Sequence, residues 1–361
     1  MAKKLIDTKK IAYEEWVALR RRSVGGSEAS TVMGDNKWSS PLSLYADKVG
    51  LTSNKETNVA MKVGTYCEEL VAQMFEEETG KKVRNDFFMY EHDCYPFITA
   101  NLDRRIVGEN AGLECKTTQA YTLKDFEGTV PKNYYWQCQH YMGVMGFERM
   151  YLACILSNRH FVWRVIERDD EAIERLFEEE VRFWNEYIVP QVQPIAMAED
   201  GEVLLELYPE AEEVSIVLDI DDEASMYLQA QAEIKKWEER KKMAQNAIEQ
   251  KMGTADRCIG VYHKASWKNY ETSRIDTKRL KEEEPELYAK YCKTTTGRRF
   301  SCKEVSLTQA VDDTVSIRVR LRSVRAGIIL RRIELAHRRE EALWLCLVSI
   351  VVVDVVSSIA T

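Results

Sequence analysis

An aspartate, a glutamate and a lysine at positions 103, 114 and 116 stand close enough in the chain to meet on one hairpin. They lie within residues 98–117, ITANLDRRIVGENAGLECKT, where two apolar runs flank the turn-rich Gly108-Glu109-Asn110-Ala111. Successive strand residues face opposite ways, so Glu114 and Lys116 share a face and Cys115 takes the other. A hairpin folds Asp103 back beside them. Two carboxylates at one point make a hard oxygen site suited to Mg²⁺ or Mn²⁺. A lysine next to that site can orient a water or stabilise charge on a phosphoryl oxygen. The tripeptide ExK alone specifies little, because an exposed hairpin with an ordinary Glu/Lys pair has the same pattern. The residues around it have to decide.

The elements that must hold these residues follow from periodicity. Helical spacing covers residues 13–22, and an amphipathic helix over 64–79 is closed by Gly80. Residues 81–88, 97–107 and 112–117 read as strands, 133–145 as a helix, 150–166 as strands, and 169–188 as an amphipathic helix ended near Pro190. This alternation predicts an α/β (α+β) domain over residues 1–200. A helical, charged extension follows over 201–310. Its main feature is 224–251, rich in Ala, Glu, Lys and Gln and expected as a long surface helix or helical hairpin. A strand is expected over 260–270, then the charged stretch 278–293 and the basic 294–300.

From about residue 311 the texture changes. Residues 316–339 carry arginine and no lysine, and 342–353 are nearly all apolar until Asp354 interrupts them. That run is shorter than the roughly 20 residues needed to cross a bilayer. A docked or aggregation-prone tail is one reading, and a segment read from a shifted frame is another.

Composition narrows the function classes. The 361 residues are 45% hydrophobic, enough for a substantial core, and the net charge is -8. The acidic total argues against a protein that coats DNA with a wholly basic surface, yet allows a local basic groove beside an acidic metal site. The nine cysteines form no CxxC pair, which disfavours zinc, redox and iron–sulfur chemistry. Their scatter, with no secretory leader at MAKKLIDTKK, fits a reducing cytoplasm. No GxxxxGK[ST] loop occurs, so no ATP site is expected.

Other motifs fall in a fixed order around the hairpin: Gly25-Gly26-Ser27-Glu28-Ala29, then Gly64-Thr65-Tyr66-Cys67-Glu68, then Asp103, then Glu114-Cys115-Lys116, then Gln137-Cys138-Gln139-His140-Tyr141. Over roughly residues 10–190 this set resembles the YqaJ-type viral recombinase family, which includes lambda exonuclease, within the PD-(D/E)xK nuclease superfamily. Trp267-Lys268 and residues 294–300, TTTGRRF, resemble the C-terminal segment of its longer members. Leu102 stands where the superfamily commonly has proline.

The resemblance implies a restriction-endonuclease-like core with a mixed central sheet flanked by helices. It implies that Asp103, Glu114 and the Cys115 carbonyl ligate Mg²⁺ or Mn²⁺, that Lys116 positions the attacking water, and that Glu68 reaches the metal shell. Gln137 and Tyr141 would hold site and substrate, and Arg20 and Ser27 would contact phosphate. The implied activity is 5′-to-3′ exonucleolytic hydrolysis of linear double-stranded DNA ends in phage-type recombination. A single-strand annealing protein is the implied partner, and a ring-shaped homo-oligomer such as a trimer the implied assembly.

Taken singly, each residue has a plainer reading. Glu68 and Glu69 fit a solvated helix face, and Gln137 and Gln139 fit the polar edge of an aromatic core. Arg20 to Arg22 fit a helix C-terminus, Gly25 and Gly26 a turn, and His140 and His160 structural hydrogen bonds. A restriction-like or structure-specific endonuclease, or a non-catalytic DNA-binding or assembly module, would also be compatible with these residues.

Overall fold

A computed structural model describes residues 2–52, 59–212, 215–216, 218–293 and 297–305. The Arg-rich and apolar tail from residue 311 lies outside the described residues, as does the expected TTTGRRF segment in part. The chain divides into two units, Met1–Pro209 and Glu210–Thr361. Among the described residues no helix is long and apolar enough to cross a membrane.

In the first unit, β1 (Lys3–Asp7) and a 3₁₀ turn precede α1 (Tyr13–Arg21), β2 (Val24–Gly25), α2 (Gly26–Val32), α3 (Pro41–Lys48) and α4 (Val59–Thr79). Then come β3 (Val83–Asn85), β4 (Phe88–Glu91), β5 (Ile98–Asn101), β6 (Arg104–Ile106) and β7 (Ala111–Thr118). After a 3₁₀ turn at Leu123–Phe126 follow α5 (Lys132–Met145), β8 (Arg149–Leu156), β9 (His160–Glu167), α6 (Asp170–Phe183), a π-helical turn (Trp184–Ile188) and α7 (Gly201–Leu207). The second unit holds α8 (Asp221–Met252), β10 (Arg257–Ile259), β11 (Lys264–Ser266), α9 (Thr277–Glu283) and α10 (Pro285–Tyr291).

The central sheet is mixed, in the order β3-β6-β7-β8-β9, with β7 and β8 parallel and its other pairs antiparallel. A smaller sheet has the order β1-β4-β5-β2. Strand alternation sorts the core into two layers. Leu113, Cys115, Tyr151 and Ala153 turn towards Val71, Ala72 and Phe75 of α4. Met150, Leu152 and Cys154 turn the other way, towards Cys138, Tyr141 and Met142 of α5. Helices on both faces leave the middle strands without a solvated side, so their apolar character is nearly continuous.

Three expected elements are corrected. Residues 81–88 and 97–107 each read as one strand, and both are split between the two sheets. The first break falls at Asp86, whose carboxylate accepts from Phe88 N at 3.2 Å and from the Tyr90 hydroxyl at 2.9 Å and also pairs with Arg105. The second falls at Leu102-Asp103, between β5 and β6. In the second unit, the strand expected over 260–270 is confined to β11, and its partner β10 precedes it. Neither glycine nor proline marks the breaks within 81–88 and 97–107; at each, an aspartate accepts from a backbone N–H where the chain leaves one sheet for the other.

Candidate active site

The split at Asp103 builds the site. β6 pairs with β7 in the register Arg104↔Leu113, and Asp103, just before β6, accepts a hydrogen bond from Cys115 N at 2.8 Å. Arg104 fixes this corner by donating to the Asp103 carbonyl at 2.7 Å and to Glu69 of α4 at 3.0 Å. Glu68, the preceding residue of α4, thereby sits within electrostatic reach of Asp103. Glu69 is therefore a strut between helix and strand, while its neighbour faces the acidic centre.

Glu114 and Lys116 project together from β7, as alternation requires, with their charged ends 2.5 Å apart. The Glu114 side chain is only 2% exposed; its Oε1 also accepts from Gln137 of α5 at 2.6 Å, while its Oε2 is buried without a partner. Gln137 also donates to the Tyr141 hydroxyl at 3.0 Å. Hence Tyr141 is buried behind Gln137, where it braces the amide. The structure thus brings Glu68, Asp103, Glu114, Lys116, Gln137 and Tyr141 into one cluster.

Burial and mutual repulsion dominate the electrostatics. Burial first, and then the Asp103 charge, push Glu114 up to about 8 and Glu68 up to about 7. Burial likewise raises Asp103, although Lys116 and the Cys115 amide oppose it. Burial alone would discharge Lys116, but Glu114 and Asp103 outweigh it and hold the ammonium well above its ordinary value. Lys116 faces three carboxyls, with Arg104 acting on Glu68 and Asp103 as well. A buried carboxylate oxygen without a donor, in an all-oxygen set short of positive charge, is what a hard divalent cation relieves. Asp103, Glu114 and the Cys115 carbonyl fit that role, with Glu68 beside them.

Arg20 and Ser27 form a second, adjoining group. Arg20 donates to Ser27 Oγ at 2.9 Å and to Glu28 at 3.2 Å, and its guanidinium lies over Trp16. Glu28 also accepts from Lys48 at 2.7 Å and from Gly25 N at 2.9 Å. Glu28 and Lys48 were missed by sequence reasoning. Glu28 stood inside the GGSEA motif, but a lysine at the end of an amphipathic helix gives no sign that its side chain is 1% exposed. Burial resists the charge on Glu28, yet Lys48 and Arg20 keep its carboxyl below the ordinary range. Arg20, Ser27 and Thr65 of α4 line a cavity of about 440 Å³, and Thr65 lies one helical turn before Glu68.

The reading of Gly26 as a turn residue is corrected. It opens α2, and a Cβ there would lie 2.5 Å from Tyr141 Cε1, so close approach to α5 demands glycine. His140 is a buried brace, 2.8 Å from Glu180 through Nδ1 and donating to the Thr99 carbonyl through Nε2 at 2.8 Å. The eight described cysteines are unpaired.

A family model for the YqaJ-like viral recombinase domain matches residues 15–148, the span from α1 to the end of α5. The YqaJ protein of Bacillus subtilis (strain 168) is 38% identical over 316 residues, covering 84% of this chain and 98% of YqaJ. The chain belongs to the YqaJ family. Among solved structures, an alkaline exonuclease from Laribacter hongkongensis is similar at 24% identity and a TM-score of 0.41, over 48% of this chain and 91% of that one. A phage-related exonuclease from Haemophilus somnus is similar at 15% identity and a TM-score of 0.39, over 47% and 96%. The family assignment rests on the sequence relative.

Proposed function

We propose that this chain is a Mg²⁺- or Mn²⁺-dependent exonuclease that hydrolyses phosphodiester bonds of linear double-stranded DNA in phage-type recombination, in the 5′-to-3′ direction. The observation that carries it is the cluster of three proton-hungry carboxyls, with the unpartnered Glu114 Oε2, around the single Lys116 ammonium. Asp103, Glu114 and the Cys115 carbonyl would hold the ion, with Glu68 in contact directly or through water. When bound, such an ion supplies Lewis acidity towards a phosphoryl oxygen and lowers the pKa of a nearby water.

The chain's own residues do the rest. The Lys116 ammonium orients the attacking water and donates to charge that grows on the phosphoryl oxygen. Gln137 pins Glu114 Oε1, so that the carboxylate keeps one orientation while its other oxygen stays free. Arg20 and Ser27, set by Glu28, offer a guanidinium and a hydroxyl to the terminal 5′ phosphate. That gives the direction its physical basis. In the same reading the partners are duplex ends and a single-strand annealing protein, the assembly is a homo-oligomeric ring such as a trimer, the compartment is the cytoplasm, and ATP is not required.

The test incubates the full chain with 5′-phosphorylated linear duplex, with and without Mg²⁺, beside Lys116→Ala and a closed circular duplex. The proposal expects Mg²⁺-dependent loss of linear duplex only. Cleavage of the circle would replace it with an endonuclease, and hydrolysis surviving in Lys116→Ala would end the catalytic assignment.

A further inference from the structure

A line of aromatic rings runs outward from the catalytic lysine. Lys116 Nζ lies 5.8 Å from the centre of the Tyr134 ring, Tyr134 is 5.6 Å from Tyr121, and Tyr121 is 6.0 Å from Trp38. Tyr134 and Tyr121 are buried, and the line surfaces at Trp38, whose ring stands perpendicular to Tyr121 and is 59% exposed. The loop that presents Trp38 is anchored at its base. Asn36 accepts from Trp38 N at 2.9 Å and donates to Thr31 Oγ1 at 2.9 Å. Lys37 reaches over the Tyr121 ring. Trp38 thus meets the fold through the edge contact with Tyr121 and presents most of its ring to water.

Tyr121 also walls a cavity of about 500 Å³ that takes in Lys124, Arg159 and His160, with Glu127 the acidic member. Ser157 and Asn158 adopt left-handed backbone, φ 51° and 56°, in the tight β8–β9 turn that sets Arg159 and His160 there. Exposed cations near an exposed aromatic ring, here offset in part by Asp125 close to Lys37, are the two components that hold unpaired nucleotides: charge for the phosphates and a π-face for the bases. A duplex would cover its base faces and leave Trp38 nothing to stack on. We propose that Trp38, with Lys37 and the Lys124–Arg159 trough, binds single-stranded DNA beside the active site.

This rests on the nuclease reading for its purpose but not for its test. Fluorescein-labelled oligo(dT) is titrated by anisotropy against the full chain carrying Lys116→Ala, without divalent metal. Adding Trp38→Ala weakens binding by roughly tenfold to a hundredfold, and Trp38→Phe stays within about threefold of the parent, because any aromatic face serves. The double variant Lys124→Ala/Arg159→Ala lowers the slope of log Kd against log salt by roughly 1.4, for two phosphates released. Trp38 is exposed, so an unchanged Tm separates lost binding from lost fold. Equal affinity in Trp38→Ala, no oligo(dT) binding by the parent, or an unaltered salt slope would overturn the proposal. Trp38-dependent binding by a wild-type chain that hydrolyses no duplex would sink the nuclease and spare the platform, and the reverse result would do the opposite.

Discussion

Protonation governs the site at the scale of single residues. Glu114 and Glu68 are raised from an ordinary value of 4.5 to about 8 and about 7, chiefly by burial. A carboxyl with a raised folded pKa binds its proton more tightly in the folded state. The metal-free fold therefore loses stability as pH rises from the unfolded value through about 8. Its Tm should fall between roughly pH 5 and 9, and Mg²⁺ should restore it most at the alkaline end, where the ion displaces no proton. At limiting Mg²⁺, activity should climb across the same window. A metal-free Tm that is flat in pH would contradict the buried cluster. Lys116→Ala should lower kcat by on the order of 10² to 10³ without loss of fold, as removal of other preorganised charge donors does.

At the scale of elements, two contacts set the geometry. α2 meets α5 where Gly26 lies against Tyr141, and a methyl group there has no room. Gly26→Ala should cost about 1–3 kcal/mol in denaturant unfolding, the usual penalty of overpacking. It should lower activity as well, because Tyr141 braces Gln137 and Gln137 holds Glu114. α3 meets α2 through the buried Lys48–Glu28 pair and α1 through the Arg20 carbonyl, which accepts from Lys48 at 2.7 Å. Lys48→Met should destabilise, by less than the ~3–5 kcal/mol of a fully stranded buried charge because Glu28 keeps Arg20 and the Gly25 amide, and adding Glu28→Gln should recover part of that loss. Additivity of the two changes in a double-mutant cycle would show that the pair is not coupled.

For the molecule as a whole, every residue of the site and, among the described residues, the clusters of buried apolar side chains belong to the unit Met1–Pro209. Residues 1–209 expressed alone should therefore unfold in one cooperative transition and, on the proposed function, hydrolyse a short duplex when Mg²⁺ is added. A fragment without a near-ultraviolet circular dichroism signal would show that the fold needs the second unit. In that second unit α8 is exposed along nearly its whole length, with Met252 alone buried. Its helix is legible in the sequence because Ala, Glu, Lys, Gln and Arg favour helix intrinsically, without help from packing.

Much of the site was legible in the chain. Alternation along β7 placed Glu114 beside Lys116 and turned Cys115 to the opposite layer, a consequence of local strand geometry that tertiary context does not alter. The ordered motifs assembled Glu68, Asp103 and Gln137 around them. Local pattern could not reveal that Asp103 marks the passage from one sheet to the other, since no glycine or proline stands at the break. Nor could it tell that Glu69 is a strut, that Tyr141 lies behind Gln137, or that Lys48 is buried against Glu28. Each depends on what a side chain meets from an element distant in sequence. Sequence by itself thus determined which chemical groups exist and which neighbours share a strand face. The tertiary structure alone decided the burial that raises three carboxyls at once and leaves Glu114 Oε2 without a hydrogen-bond partner, because desolvation is a property of the surroundings and not of the residue.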